Sequence, residues 1–149
     1  MDKGEMTKAF LAAVERGDVN DTSFYLAEDV VCTGMAPCPV GKDSFQRIMR
    51  ALVAGIPNWQ FNADNWQARG ETISTDVRVT GVQSENLPAV LWTVPPVLAT
   101  GRHIALPAEH IELTWRGDKI VYIDVERVEG GGVLGVLQQL GIMAPFAAA

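Results

Sequence analysis

The chain has 149 residues, of which 48% are hydrophobic and 20% are charged, and its formal net charge is -6. This length fits one domain over residues 1–149, which can bury roughly 70% of the surface that the unfolded chain exposes. The acidic balance argues against nucleic acid, whose phosphates need clustered Lys and Arg, and it has the wrong sign for an anionic membrane surface. We therefore expect neither nucleic acid nor a membrane as a partner.

The cysteines and the known short motifs point to no cofactor. Cys32 and Cys38 have five residues between them, which is neither a redox CxxC nor half of a zinc site, and we expect both to be reduced. The sequence has no phosphate-binding glycine loop, no nucleophile elbow and no HExxH, so no metal or cofactor is expected. The N-terminus lacks an apolar run of signal-peptide type, and we expect a cytoplasmic protein.

Three helices are predicted in the first third of the chain. Apolar residues recur at helical spacing in residues 5–16. Asp18 or Asn20 can cap a second, short helix. After a short strand over residues 27–34, a third helix follows over residues 41–55.

From Trp59 onward the pattern changes to strands. Residues 59–63 alternate, and so do residues 73–82 beside a Gly-Glu turn. Residues 108–128 form a predicted hairpin, and the glycines at 130–132 precede a short apolar helix. Helices first and strands second predict an α+β fold, a curved antiparallel sheet with the N-terminal helices packed on its concave face. Such a sheet leaves an apolar cavity, where small ligands bind.

Residues 83–100 form a long connection with three prolines and several apolar side chains. Long structured loops in compact domains are often functional. The segment is predicted either to cover the cavity as a flap or to pack on the core as a plain loop.

The hairpin supplies the candidate site. If Trp115 pairs with Lys119 across a three-residue turn, His110 lies opposite Asp124 on a polar face, with Cβ atoms about 5 Å apart. The opposite face is an apolar row. This row consists of Ile111, Leu113, Ile123 and Val125. Alternatively, the polar face is simply solvated, and a two-residue turn would place the imidazole and the carboxylate on opposite faces.

Four stretches, in this order and spacing, resemble one family. They are VRVTGVQ at 77–83, ATGRHI at 99–104, GDKIV at 117–121 and VLQQLG at 136–141. They are similar to segments of the SnoaL-like polyketide cyclase family, in the nuclear transport factor 2-like superfamily of cone-shaped α+β folds. The resemblance is more specific for the fold than for a reaction, because this fold hosts cyclases, isomerases, dehydratases, epoxide hydrolases and non-catalytic modules.

The resemblance implies a chemistry for the hairpin. Family members that close polyketide rings use a His and an Asp on the last two long strands, facing the cavity, and His110 and Asp124 fall on those positions. The implied reaction is a cofactor-independent intramolecular aldol condensation of a small hydrophobic or aromatic substrate. Asp124 would be the acid-base group, and His110 would orient it or polarise a carbonyl.

Six further residues are predicted to bind the substrate. Gln83 stands where the family has a histidine, and it can donate a hydrogen bond but cannot titrate near neutrality. Arg78 lies on a strand that carries cavity residues in the family, although it could equally face solvent. The remaining four are Tyr122, Glu126, Trp59 and Trp92, of which the aromatic ones are either cavity walls or core residues.

Several rival functions stay open. A ketosteroid-isomerase-like proton shuttle also needs only an acidic group in an apolar pocket. An epoxide hydrolase resembling limonene epoxide hydrolase is disfavoured, because Cys32 and Gly34 stand where its Tyr and Asn would be. A non-catalytic binding or dimerisation module would leave the hairpin pair solvated. We also expect a homodimer through the apolar row of the hairpin, unless that row is the core of the monomer.

Overall fold

The expected α+β architecture is confirmed by a computed structural model, which describes residues 2–91 and 94–142. The helices are α1 (Lys3–Glu15), α2 (Val19–Tyr25), α3 (Lys42–Gly55) and α4 (Gly132–Gln139). The strands are β1 (Leu26–Thr33), β2 (Asp64–Arg69), β3 (Thr72–Val77), β4 (Thr80–Val82), β5 (His103–Ala105), β6 (Glu109–Arg116) and β7 (Lys119–Val125).

Five strands form the main sheet in the order β1-β7-β6-β3-β2, and β4 pairs with β5 in a separate ribbon. The pairs among β7, β6, β3 and β2 are antiparallel. The predicted antiparallel sheet is thus confirmed for these pairs, while β1 at one edge runs parallel to β7. The chain returns from β1 through α3 and the other strands before β7 is added, so no tight hairpin fixes the direction of this pair.

The first two helices begin at aspartates whose side chains accept a backbone N–H, as the sequence predicted for the second. Asp2 accepts from the amide of Glu5 at 2.7 Å, and Asp18 accepts from that of Asp21 at 3.0 Å. The predicted third helix is confirmed as α3, with its apolar side on the core. None of the helices within residues 2–91 and 94–142 is both long and apolar enough to cross a membrane.

The strand predicted over residues 59–63 is wrong. Only Gln60 forms a bridge, to Thr80, and the regular strand β2 starts at Asp64. Asn62 has a φ of 50°, a left-handed conformation that ends regular pairing and that Asn tolerates better than most residues.

The segment 83–100 is attached to the core by a buried glutamine. The fully buried Gln83 donates from Nε2 to three carbonyls in this segment, and its Oε1 accepts from both the amide and the hydroxyl of Thr100. Leu87 and Val97 are buried and bridge to each other. No described residue of the segment lines the central cavity, so of the two alternatives the structure favours the loop that packs on the core.

We predict that Gln83→Leu lowers the free energy of unfolding by about 1–3 kcal/mol, because it leaves buried loop groups without their partner. Gln67→Leu is the control, since Gln67 is exposed on β2 and exposed substitutions usually change stability by less than about 0.5 kcal/mol. Urea unfolding measures both. Equal effects of the two substitutions would contradict the proposed attachment.

Candidate active site

The hairpin register differs from the predicted one. Arg116 pairs with Lys119, which leaves a two-residue turn whose glycine has a φ of 63°. An extra residue, Val121, then interrupts the ladder between the pairs formed by Ile120 and Tyr122. The two-residue turn alone would have moved each side chain of β7 to the sheet face opposite the predicted one. The bulge at Val121 returns residues 122–125 to the predicted face. The predicted pairing of His110 with Asp124 is therefore wrong.

His110 instead pairs with Asp76 of the neighbouring strand β3. Its Nδ1 lies 2.8 Å from Oδ1 of Asp76, and its Nε2 lies 3.9 Å from Oε2 of Glu112. The carboxylate of Asp76 also accepts from Asn65 at 3.0 Å, and this bond, followed by that to the imidazole, lowers the pKa of Asp76. The side chains of His110 and Asp76 are 39% and 34% exposed, so this pair lies at the outer surface of the sheet.

Asp124 lies on the same outer face with different partners. It pairs across the ladder with Glu112, and its Oδ1 accepts from the hydroxyl of Thr33 at 2.7 Å. Tyr122, 40% exposed, completes this group through its hydroxyl, 3.2 Å from that of Thr33. The predicted cavity-facing orientation is wrong for both His110 and Asp124, since neither lines the cavity.

The apolar row of the hairpin faces the helices. Ile111, Leu113 and Ile123 are at most 6% exposed and pack in the core beneath α1 and α3. A homodimer through this row, as predicted, is therefore excluded, because the row is already covered within the chain. A homodimer through another surface stays a prediction.

An apolar cavity of about 80 Å³ lies between this row and the helices. Its walls come from the sheet, from α1 and α3, and from the start of α4. Among its described lining residues, Glu109 is the only one with a carboxylate. The residue is 5% exposed and is the first residue of β6, on the same face as the apolar row.

The backbone at the start of α4 holds the side chain of Glu109 in place. Its Oε2 accepts from the amide of Gly132 at 3.1 Å. A Cβ at Gly131 would come within 3.0 Å of the same carboxyl group, so a glycine lets the chain pass close beside it. Burial raises the pKa of Glu109, and this effect exceeds that of the hydrogen bond from Gly132, which lowers it.

A groove adjoins the cavity at the carboxyl group of Glu109. It has a volume of about 260 Å³ and runs between residues 34–36 and residues 127–132. It shares Met35, Glu109 and Gly132 with the cavity. Arg127 borders the groove and donates to the carbonyls of residues 36 and 37. Glu109 thus lies where an apolar interior meets a polar entrance.

Two other residues that line the cavity carry a polar atom. Burial, with a smaller contribution from the charge of Asp124, raises the pKa of the Cys32 thiol to about 12, which keeps it protonated at neutral pH. Both cysteines are free, as expected. Trp59, a predicted substrate-binding residue, lines the cavity and is 5% exposed.

The other predicted substrate-binding residues lie elsewhere. Gln83 is engaged by its own loop, and Arg78, Tyr122 and Glu126 are exposed outside the cavity. Trp92 lies outside the described residues. No described group of three or more His, Cys, Asp or Glu could hold a metal ion.

Comparison with known proteins supplies the family. The model of the SnoaL-like domain matches residues 7–123. The chain belongs to the SnoaL-like domain family. No protein with a curated description matches it with significance.

Solved structures show the same fold for this SnoaL-like chain. AclR from Streptomyces galilaeus is 18% identical with a TM-score of 0.69, over 92% of this chain and 93% of that one. TsrD from Streptomyces laurentii is 17% identical with a TM-score of 0.69, over 96% and 99%. A SnoaL-like polyketide cyclase from Agrobacterium tumefaciens is 15% identical with a TM-score of 0.65, over 95% and 100%. At these identities the likeness concerns the fold.

Sequence reasoning missed Glu109, although the signal was present. The apolar row of β6 was predicted correctly, and extending its alternation back by two residues from Ile111 reaches Glu109. An acidic residue in phase with a buried row must lose its hydration on folding, and this loss costs free energy. Such a residue is therefore a candidate for a functional role.

We predict that Glu109→Gln makes the SnoaL-like chain more stable than the wild type above the pH range in which Glu109 titrates. Because folding raises the pKa of Glu109 above its ordinary value of 4.5, the folded state binds the proton more tightly. Wild-type stability therefore falls as pH rises from that value through the folded pKa, and the loss persists above it. The variant lacks this loss.

Urea unfolding at about pH 4 and about pH 8 measures the difference between the two proteins, which should grow in favour of the variant at the higher pH. The exposed Glu126→Gln change controls for the removal of one negative charge. A difference that is constant with pH, or that grows in favour of the wild type, would contradict the burial of this carboxyl group.

Proposed function

We propose that this SnoaL-like chain is a cofactor-independent enzyme that moves protons on a small, largely apolar carbonyl compound, with Glu109 as its acid-base group. The observation that carries the proposal is the position of one buried carboxylate in an otherwise apolar cavity at its polar entrance. A raised pKa suits such a group, because general acid-base catalysis is most efficient when the pKa lies near the working pH. Residues 1–149 act as a single domain in this proposal.

The chemistry we infer is an intramolecular aldol condensation. The Glu109 carboxylate removes a proton from a carbon next to one carbonyl, and the electron pair of that C–H bond forms the enolate. The enolate carbon then bonds to a second carbonyl carbon of the same molecule, whose oxygen becomes an alkoxide. The protonated Glu109 returns its proton to that alkoxide, so that the carboxylate is regenerated without any other reactant.

The cavity favours this reaction by its shape and its apolar walls. Its volume of about 80 Å³ has room for roughly five to eight water-sized groups, so a flexible substrate must fold to enter it. A folded dicarbonyl has its two reacting carbons already close together, which removes much of the entropic barrier. The apolar walls also exclude the water that would compete with the enolate for protons.

A second candidate is supported by the same carboxylate. Isomerisation of an unsaturated ketone requires one group that takes a proton from one carbon and returns it to another, and a single carboxylate in an apolar pocket suffices. Conversion of cyclopent-3-enone to cyclopent-2-enone would report this activity. Ring closure of 2,5-hexanedione to 3-hydroxy-3-methylcyclopentanone, which then loses water to give 3-methylcyclopent-2-enone, would report the first.

The direct test of Glu109 measures deuterium uptake next to the carbonyls of 2,5-hexanedione in heavy water by NMR. We predict that the wild type accelerates uptake and that Glu109→Gln reduces the acceleration by roughly 10²- to 10⁴-fold, because the amide cannot accept the proton. A binding module without turnover would give no acceleration in either protein, and this result would contradict the proposal.

The matched control is Asp124→Asn, which removes a carboxylate of the outer sheet face. If Glu109 is the acid-base group, Asp124→Asn keeps the wild-type rate. If instead Asp124 and His110 carry the reaction, as the family resemblance implied, Asp124→Asn and His110→Gln lose activity and Glu109→Gln does not. The three variants therefore assign the reaction to one of the two faces of β6 and β7.

A further inference from the structure

The conformation of Gly131, the residue that precedes α4, does not require a glycine. Its φ is -98° and its ψ is -177°, an extended backbone that any residue adopts. Its two neighbours differ, since Gly130 and Gly132 have φ values of 82° and 67°, in the left-handed region that favours glycine. The absence of a side chain at position 131 therefore calls for an explanation in terms of space.

The space beside Gly131 is taken by two side chains, those of Val128 and Glu109. A Cβ at position 131 would lie 2.8 Å from Cγ2 of Val128 and 3.0 Å from both Cδ and Oε2 of Glu109. Oε2 is the oxygen that accepts the hydrogen bond from the amide of Gly132. Within residues 2–91 and 94–142, this is the only hydrogen bond to the side chain of Glu109. A methyl group at position 131 would therefore press on the one bond that fixes this carboxyl group.

The backbone on both sides of this contact is fixed. The amide of Gly131 donates to the carbonyl of Val128 at 3.0 Å, and its own carbonyl accepts from the amide of Gly135 at 3.0 Å. Glu109 pairs with Val77 in the main sheet. Because neither backbone is free to move away, relief of crowding falls to the side chains, and the Glu109 carboxyl group would have to turn away from its donor.

We propose that Gly131 is a positioning residue, whose missing side chain lets the amide of Gly132 hold the Glu109 carboxyl group where the cavity meets the groove. The inference rests on the proposed function, because Glu109 is the group that it positions. The amide engages Oε2, so Oε1 is the oxygen that takes the proton from the substrate. Positioning matters for the rate, since a misplacement of about 1 Å can cost roughly 10²-fold.

Gly41 provides a matched control. It precedes α3 as Gly131 precedes α4, with a φ of -91° and a ψ of -168°, and neither residue has a side-chain cap. The nearest atom to a Cβ at Gly41 would be the carbonyl oxygen of Val30, at 3.9 Å, which leaves room for a methyl group. Gly41→Ala therefore repeats the change of residue type at a helix start without the crowding.

The test follows the amide proton of Gly132 by NMR in the full-length, ¹⁵N- and ¹³C-labelled protein while the pH is varied across the titration of Glu109. An amide binds an ionised carboxylate more strongly than a neutral acid, so this proton should move downfield as Glu109 ionises, in the wild type and in Gly41→Ala. In Gly131→Ala it should lose most of that movement. Equal movement in Gly131→Ala and in the wild type would overturn the inference.

A double variant separates the two neighbours of Gly131. Val128→Ala removes the nearest contact, so that Gly131→Ala combined with Val128→Ala crowds only Glu109. We expect the Gly132 proton to lose its response in the double variant and to keep it in Val128→Ala alone. A response restored in the double variant would mean that Gly131 makes room for Val128, which overturns the inference. The double variant also decides the question if Gly131→Ala alone does not fold.

Rates give a second, independent measure. With 2,5-hexanedione, Gly131→Ala should lower the maximal rate of deuterium uptake by roughly 10- to 10²-fold and keep the half-saturating concentration within about twofold, because the base is misplaced and the cavity is unchanged. Gly41→Ala should keep both values. A raised half-saturating concentration at an unchanged maximal rate would overturn the inference, since the methyl group would then only obstruct the groove.

The result is separable from that of the catalytic proposal, because the Gly132 signal needs no turnover. A response that Gly131→Ala abolishes, without any uptake by the wild type, would support the positioning of Glu109 and contradict its role as a base. Uptake that depends on Glu109 and is unchanged in Gly131→Ala would support the catalytic proposal and overturn the inference about Gly131.

Discussion

The alternation of β6 is the constraint on which the rest of the molecule depends. Successive side chains of a strand point to opposite faces, so Glu109 shares its direction with Ile111 and Leu113 and is carried into the core with them. The sheet cannot bury these apolar residues without also desolvating that carboxylate. The proposed acid-base group therefore follows from the same packing that holds the fold together.

The surroundings of this carboxylate are arranged by elements far apart in the sequence. The glycines before α4 bring an amide against it, the loop after β1 borders the groove beside it, and α1 and α3 close the apolar side. A single acceptor bond and an opening to the groove leave Glu109 able to exchange a proton.

The sequence could predict what depends on local patterns. Helical spacing predicted α1, a capping residue predicted α2, strand alternation predicted the hairpin, and four short segments indicated the SnoaL-like fold. The register of β6 against β7 could not be predicted in the same way. It depends on a two-residue turn together with a bulge at Val121, and a bulge leaves the alternation on each side of it intact. The role of Gln83 was equally hidden, because all but one of its partners are backbone groups, and most of them lie at the far end of its own loop, at residues 97–100.

The candidate site was predicted on the wrong face for a related reason. The alternating polar residues of the hairpin favoured a site on what is the outer face of the sheet. There His110 is hydrogen-bonded to Asp76, and Asp124 is hydrogen-bonded to Thr33. An enclosed cavity is lined mainly by apolar residues, so its functional group is the exception within an apolar row. Polar alternation identifies a solvated sheet face, whereas a charge in phase with the core identifies a candidate for chemistry.

The central claim is that Glu109 titrates in a desolvated site. Carbon-13 NMR of protein labelled at the glutamate side-chain carboxyls, with the Glu109 signal assigned from its loss in Glu109→Gln, follows this titration directly. The account predicts a midpoint for Glu109 above the ordinary glutamate value of 4.5. A midpoint at or below that value would contradict it, because the carboxyl group would then be hydrated or fully paired as an anion.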